Sequence, residues 1–478
     1  MAARDITQFF IYRWRYIVGY SIVGLLLAGL LIFAGLYVPG GLSTAEMQAA
    51  VHTDSLSFAH PSSFGITSLP FYLLQATMFH FFGVYDFTIK APALILALFS
   101  AIGLILLLRR WFRPSIAVLT SLIAITTGQF LFIAQSGTPG ILYVFWPILL
   151  LSLGTQITRV KKGRLLWKIS FAAAAALSLY TPLSIYPLLA IAVAIALHPH
   201  LRTVVRRLSR MKVAISAAVG LILIAPLLYL IATQPQFGLT LLGAPANWPP
   251  DIGQNTIALL KQFFLFWEPS TTTLMTPVFG LGSVLIIGLG LYRLIQTRDT
   301  TRSYLIIIWI ICLIPVLIIN PQFTSVTLVP SVLLLAAGLT SLITYWYRLF
   351  PLNPYARVAG LIPIIILVVT LIGSGLDRYM YGYHYSPTNA VNFSNDLTLL
   401  PANTKRLIVA PDELPFYTVV AHHRKGLVVT ATPPDLSIAT FVATRAARDE
   451  APGGYAVARI ITTTYTDDSD RFYVYKMN

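Results

Sequence analysis

Charge is the scarcest property of this 478-residue chain: 10% of its residues are Asp, Glu, Lys or Arg. Soluble globular domains carry roughly 25%. Over so long a chain the deficit, with 56% hydrophobic residues and a mean hydropathy of +0.75, excludes an ordinary soluble protein and puts most of the chain in lipid. Cysteine is nearly absent too. The single Cys312 lies in an apolar run, which excludes an intrachain disulfide and a cysteine-based metal site. Also missing are a Gly-rich phosphate loop of the Walker or dinucleotide type and any clear internal repeat.

What is present is a succession of long apolar runs. A bilayer core about 30 Å thick needs roughly 20 apolar residues per helix. On that measure the expected fold is an α-helical polytopic membrane protein of about eleven transmembrane helices. The expected spans are 16–38, 88–108, 115–134, 140–157, 166–181, 183–197, 212–233, 274–295, 303–319, 324–345 and 357–375. The first run is too long for a signal-peptide core and lacks a small-residue cleavage site, so it reads as a retained helix.

The net charge of +16 is distributed in a way that argues against a nucleic-acid partner. Of the 33 Lys and Arg residues, 21 fall in six segments that alternate with apolar pairs, from Arg4, Arg13 and Arg15 through Arg348 and Arg357. The opposite side of the membrane part holds only Lys90 and Lys261. Such asymmetry sets orientation: the amino terminus is expected in the cytoplasm of a multi-pass cytoplasmic-membrane protein, with the carboxy-terminal region outside. Residues 1–376 then form the membrane domain, with outer loops at about 39–86 and 234–273, and 377–478 an extracytoplasmic domain. In that tail RLIVAP, GLVVTAT, YAVARIITTTY and RFYVYKMN read as strands, and ELPFYTVVAHH and DLSIATFVATRAAR as helices, a small α/β domain.

On this topology five of the seven acids of the membrane part gather on one face, Asp5 and Asp299 being inside. Glu46, Asp54, Asp86, Asp251 and Glu268 are all outside or at the outer interface, where chemistry is expected. AEMQAAV and NTIALLKQFFLFWEP read as interfacial helices, and Asp251 as a helix cap. LPFYLLQATMFHFFG reads either as an interfacial helix or as an early start to the second span. Asp86 and Lys90 have the i,i+4 spacing of a helical ion pair. Glu46, His52, Asp54 and His60 match no metal-site spacing, so no metal ligand is assigned and a divalent metal is unsupported.

The stretch from Gly41 to Pro114 resembles the GT-C superfamily of membrane glycosyltransferases, in the branch of protein O-mannosyltransferases and lipid A aminoarabinose transferases. The similar features occur in order: STAEMQAAV after the first span, SLPFYLLQATMFHFFG, DFTIKAPALILAL opening the second span, and LLRRWFRP closing it. The resemblance implies a sugar moved from a polyprenyl-phosphate-linked donor to an acceptor glycan, lipid or protein on the outer face of the cytoplasmic membrane. It implies membrane lipid as surroundings and no cofactor beyond the lipid-linked substrate. Carried over residue by residue, it makes Glu46 the catalytic base, the only acid carried over because the family's acidic pair reads Ala45-Glu46 here, and it puts Lys90 where the family often has arginine. From their own positions on the outer side, Asp54 is a candidate second acid, and Asp86, Lys90 and Glu268 are candidate substrate contacts. The position of the family's other acid reads Gly140. A catalytically inactive GT-C relative serving as scaffold or lipid-binding subunit is the alternative, followed by a transporter or flippase of lipid-linked substrates.

Overall fold

The structure is a computed structural model. It describes residues 42–57, 64–159, 164–245, 247–265, 278–349, 361–381, 397–432, 439–450, 454–462 and 470–477, with scattered positions before 42 and between 350 and 360. Most of the expected first span, His60, Glu268, His384 and most of the DDSD run at 467–470 lie outside the described residues.

The described helices begin with α1 (Thr44–Asp54), α2 (Leu69–Phe82) and α3 (Asp86–Trp111). They continue with α4 (Pro114–Ile125), α5 (Gly128–Gln135), α6 (Leu142–Arg159), α7 (Arg164–Ser178), α8 (Ile185–Leu197) and α9 (Pro199–Arg206). Next come α10 (Arg210–Thr233), α11 (Pro235–Leu242), α12 (Ile252–Phe264), α13 (Leu281–Gln296), α14 (Thr301–Ile319), α15 (Leu328–Leu349) and α16 (Leu361–Tyr379). The tail holds β1 (Arg406–Ile408), α17 (Leu414–His423), β2 (Val428–Thr430), β3 (Thr440–Thr444), β4 (Tyr455–Thr462) and β5 (Asp470–Met477).

The chain divides into two compact units. One takes in 96–134 and 140–379 with the first 32 residues, the other 33–95, 135–139 and 380–478.

Among the described residues of the first unit and the helix that leads into it, six helices are long and apolar enough to cross a membrane, or eight if each of two bent pairs is one span. α4 and α5 meet at 61°, where the Thr126 and Thr127 hydroxyls bond back to the carbonyls of Leu122 and Ala124. α8 and α9 meet at 93°, with Pro199 opening the new helix. α7 and α13 fall on expected spans but are shorter apolar helices, so the described residues do not reach eleven spans. Where α13 crosses α15, Gly290 and Gly338 let the backbones touch. A Cβ on Gly290 would run into the Leu334 carbonyl, and one on Gly338 into that of Ile286. The chain is a multi-pass membrane protein.

The second unit joins the segment after the first apolar run to the tail through one hydrophobic core. Leu42, Ala50, Phe79 and Ile89 share it with Leu407, Val409, Tyr417, Val420 and Phe472. α1 starts with a capping box: the Ser43 and Glu46 side chains each bond the other's backbone N–H. α2 is a helix of its own, which decides between the two readings of that segment. It ends at Gly83, whose φ of 78° is one glycine adopts without strain. The tail sheet runs β2-β1-β3-β5-β4, with β2, β1 and β3 parallel and the last two strands antiparallel. α17 is the crossover that parallel β1 and β2 require.

One expected helix is a strand. Within DLSIATFVATRAAR, residues 440–444 form β3 and only Arg448–Glu450 makes a short 3-10 turn beyond it. Phe441, Val442 and Ala443 are buried, and β3 lies between β1 and β5. That sandwiched place favours β-branched and aromatic residues over the local Ala-Arg helix preference. The Asp251 expectation holds: its carboxylate accepts the Gln254 N–H at the start of α12.

Candidate active site

The site is built within the second unit, at the amino end of α1. The capping box that starts this helix requires a Glu three residues after Ser43, and it points the carboxylate back over the first turn. Glu46 is 2% exposed. Its Oε2 accepts the Ser43 N–H at 2.9 Å and the Ser43 hydroxyl at 3.1 Å. Its Oε1 accepts the Gly137 N–H at 2.7 Å and lies 3.8 Å from the Lys90 ammonium. Lys90, one turn into α3, is 7% exposed, so the ion pair is buried on both sides. A buried carboxylate needs this company: a cation and oriented N–H donors replace the water it has lost.

Gln75 braces the pair from α2. Fully buried, it donates through Nε2 to the Ile89 carbonyl at 2.8 Å and to the Gly137 carbonyl at 3.5 Å. Its Oε1 accepts the Thr53 hydroxyl from α1. One amide therefore ties α1, α2, α3 and the 135–139 loop together. Gly137 is where that loop comes closest: a Cβ there would stand 2.7 Å from Ile89 Cγ2 and 3.1 Å from its carbonyl oxygen.

The other described candidates, Asp54 and Asp86, bond to the tail. Asp54 closes α1, eight residues on, which is about 12 Å along a helix axis. Its carboxylate takes His422 Nδ1 at 2.7 Å and His423 Nε2 at 3.4 Å, at the end of α17. Asp86 opens α3, where its two oxygens accept the Leu397 and Thr398 N–H groups at 3.3 Å each. Both acids thus join the front segment to the tail. His52 stands edge-on to Tyr72, whose burial pushes its hydroxyl up to about 12. Glu413 is a half-buried acid of the tail; burial raises its carboxyl and the Thr444 hydroxyl offsets part of that rise. Among the described residues no group of three His, Cys, Asp or Glu side chains is placed to hold a metal ion.

Sequence reasoning missed Gln75 and Gly137. An amide inside LLQATMF is a signal, since a polar group in an apolar helix needs a partner. The Gly137 contribution is a main-chain N–H and leaves no side-chain trace.

No protein-family model matches the chain, and no curated protein matches it. Solved structures do. ArnT from Cupriavidus metallidurans, solved bound to undecaprenyl phosphate, matches with a TM-score of 0.52 at 14% identity, over 95% of this chain and 98% of its own. An oligosaccharyltransferase from Archaeoglobus fulgidus, in the apo form, matches with a TM-score of 0.50 at 12% identity, over 87% of this chain and 64% of its own. At such identities the likeness is one of architecture: the chain has the fold of the GT-C membrane glycosyltransferases.

Proposed function

We propose that the chain is a membrane glycosyltransferase, moving a sugar from a polyprenyl-phosphate-linked donor to an acceptor hydroxyl on the outer face of the cytoplasmic membrane. The observation that carries this reading is the buried Glu46–Lys90 pair. The GT-C fold and the undecaprenyl phosphate bound by ArnT agree with it.

The chemistry needs a base for the acceptor and a cation for the leaving group. The acceptor oxygen forms a bond to the anomeric carbon while the bond from that carbon to the phosphate oxygen breaks. The lipid phosphate leaves with the bonding electrons, and a carboxylate takes the hydroxyl proton. Attack from the face opposite the phosphate inverts the sugar carbon. In the resting pair Lys90 neutralises Glu46. A donor phosphate, with more negative charge and more acceptor oxygens, draws the ammonium away on its flexible stem. Lys90 then faces the charge that grows on the leaving phosphate, where fixed or nearby cations are most effective. Glu46 stays oriented by the Ser43 and Gly137 N–H groups, and the side of Oε1 vacated by Lys90 accepts the proton.

In this reading Asp54 fastens the tail, because about 12 Å of helix separates it from Glu46 and the two cannot serve one carbon. Asp86 plays the same role at α3, leaving Lys90 as the phosphate contact.

The test compares wild type and Glu46→Gln in lipid nanodiscs, measuring release of undecaprenyl phosphate from undecaprenyl-phosphate-linked sugars with an envelope extract as acceptor. Release by the wild type and a fall of about 10²–10⁴-fold in the variant are expected for loss of a general base. Equal turnover in both removes Glu46 from the base role. Donor binding without release by the wild type points instead to the inactive, lipid-binding relative.

A further inference from the structure

The first unit holds a cavity of about 840 Å³ that the transfer chemistry does not use. Leu150, Leu151, Ile191, Ile195 and Leu305 make its walls aliphatic. Arg110, Lys168 and Arg302 also line it, at the helix ends that the Lys and Arg asymmetry assigns to the cytoplasm. Among the described residues no carboxylate lines it.

Two further features bear on what would enter. The first is Arg302. Its Nη1 donates to the Trp111 carbonyl at 2.7 Å, and the guanidinium lies 4.4 Å from the centre of the Phe112 ring. Its Nε–H is buried and has no hydrogen-bond partner among the described residues. A buried cationic donor left unsatisfied is costly, and an anionic oxygen relieves that cost. The second is α9. It bends 93° away from α8, contributes Leu201 and Val204 to the cavity, and leaves Arg202 and Arg206 exposed. A basic amphipathic helix turned across the bundle is the form that lies in a membrane interface.

We propose that this cavity binds one anionic phospholipid from the leaflet at the basic end of the bundle. Its phosphate sits at Arg302, Lys168 and Arg110, and its acyl chains lie along the α6, α8 and α14 walls. Charge complementarity selects the occupant. Three cations and no acid favour a phosphate, and the aliphatic walls favour a phosphate that carries hydrocarbon over a free one. The volume is at the upper end of the range for small-molecule sites, as acyl chains require.

Purified protein would be delipidated in detergent and titrated with phosphatidylglycerol, phosphatidylcholine, undecaprenyl phosphate or inorganic phosphate. Native mass spectrometry would count retained lipid, and a thermal shift would report stabilisation. One retained phosphatidylglycerol is expected, bound at least about tenfold tighter than phosphatidylcholine, with about fivefold lost per cation removed in Lys168→Gln and Arg302→Gln. Gly154→Leu is the second variant. A Cβ at Gly154 meets only Phe171, at 3.9 Å, so leucine there fills the cavity, keeps every cation and improves helix propensity. It should abolish retention without lowering the melting temperature of the delipidated protein. Equal retention of both phospholipids overturns the proposal. So does a phosphatidylglycerol preference that survives all three variants, selective retention of undecaprenyl phosphate, or equal stabilisation by inorganic phosphate alone.

Discussion

The two ends of α1 each carry an acid, and the acids live in different physical worlds. Glu46, at the amino end, is 2% exposed and held by the Ser43 and Gly137 N–H groups and the Lys90 ammonium. Asp54, at the carboxy end, is 20% exposed and meets two histidines, one of them 60% exposed. The same chemical group is at one end a desolvated charge held by specific donors, and at the other a surface tether. Burial decides which: a screened carboxylate gains little from a partner, whereas a buried one depends on every partner it has.

The largest effect on stability is expected at Lys90. Lys90→Met keeps most of the side-chain volume but leaves Glu46 buried without its cation, at a cost of about 3–5 kcal/mol. Adding Glu46→Gln removes the orphaned charge and should restore much of the loss. Thermal unfolding of the two single variants and the double variant in the same detergent measures that coupling. A double variant no more stable than Lys90→Met would show that the pair is not coupled.

Gly137→Ala comes next. The added methyl must displace Ile89 or the loop, and the loop carries the N–H that orients Glu46 Oε1. Overpacking of this kind costs about 1–3 kcal/mol. Because the carboxylate loses alignment, transfer activity should fall in Gly137→Ala even at temperatures where the fold is fully retained. Activity unchanged at matched folded fraction would remove the 135–139 loop from the site.

The contrast between the acids also explains what could be read in advance. The helices were legible because lipid imposes one rule on each, a long apolar run, and every expected span except the first falls on a described helix. Their count was less legible, because α7 and α13 are short and the chain bends after Ile125, at Thr126 and Thr127, and after Leu197, at Pro199. Glu46 was legible as an acid at a helix start, but its depth was not. That depth depends on Lys90, Gln75 and Gly137 arriving from three other segments. Asp54 and His422 lie 368 residues apart, and no local pattern announces such a contact. β3 failed for the same reason: ATFVATRAAR carries helix-forming Ala and Arg, and only its flanking strands make it a strand.

The smallest effect is expected at Asp54, and it tests the comparison most directly. Asp54→Asn keeps the shape and an acceptor oxygen for His422 Nδ1 but removes the charge. Exposed pairs of this kind contribute about 0–1 kcal/mol. Screening by salt weakens what there is, so the difference from wild type should shrink further between low and high ionic strength. Transfer activity should stay within about threefold of wild type, against the loss of about 10²–10⁴-fold expected of a missing base. The informative failure is an Asp54→Asn protein that melts like wild type yet has lost as much activity as Glu46→Gln. That would place both acids in the chemistry, and would require α1 to move so that its carboxy end reaches the substrate.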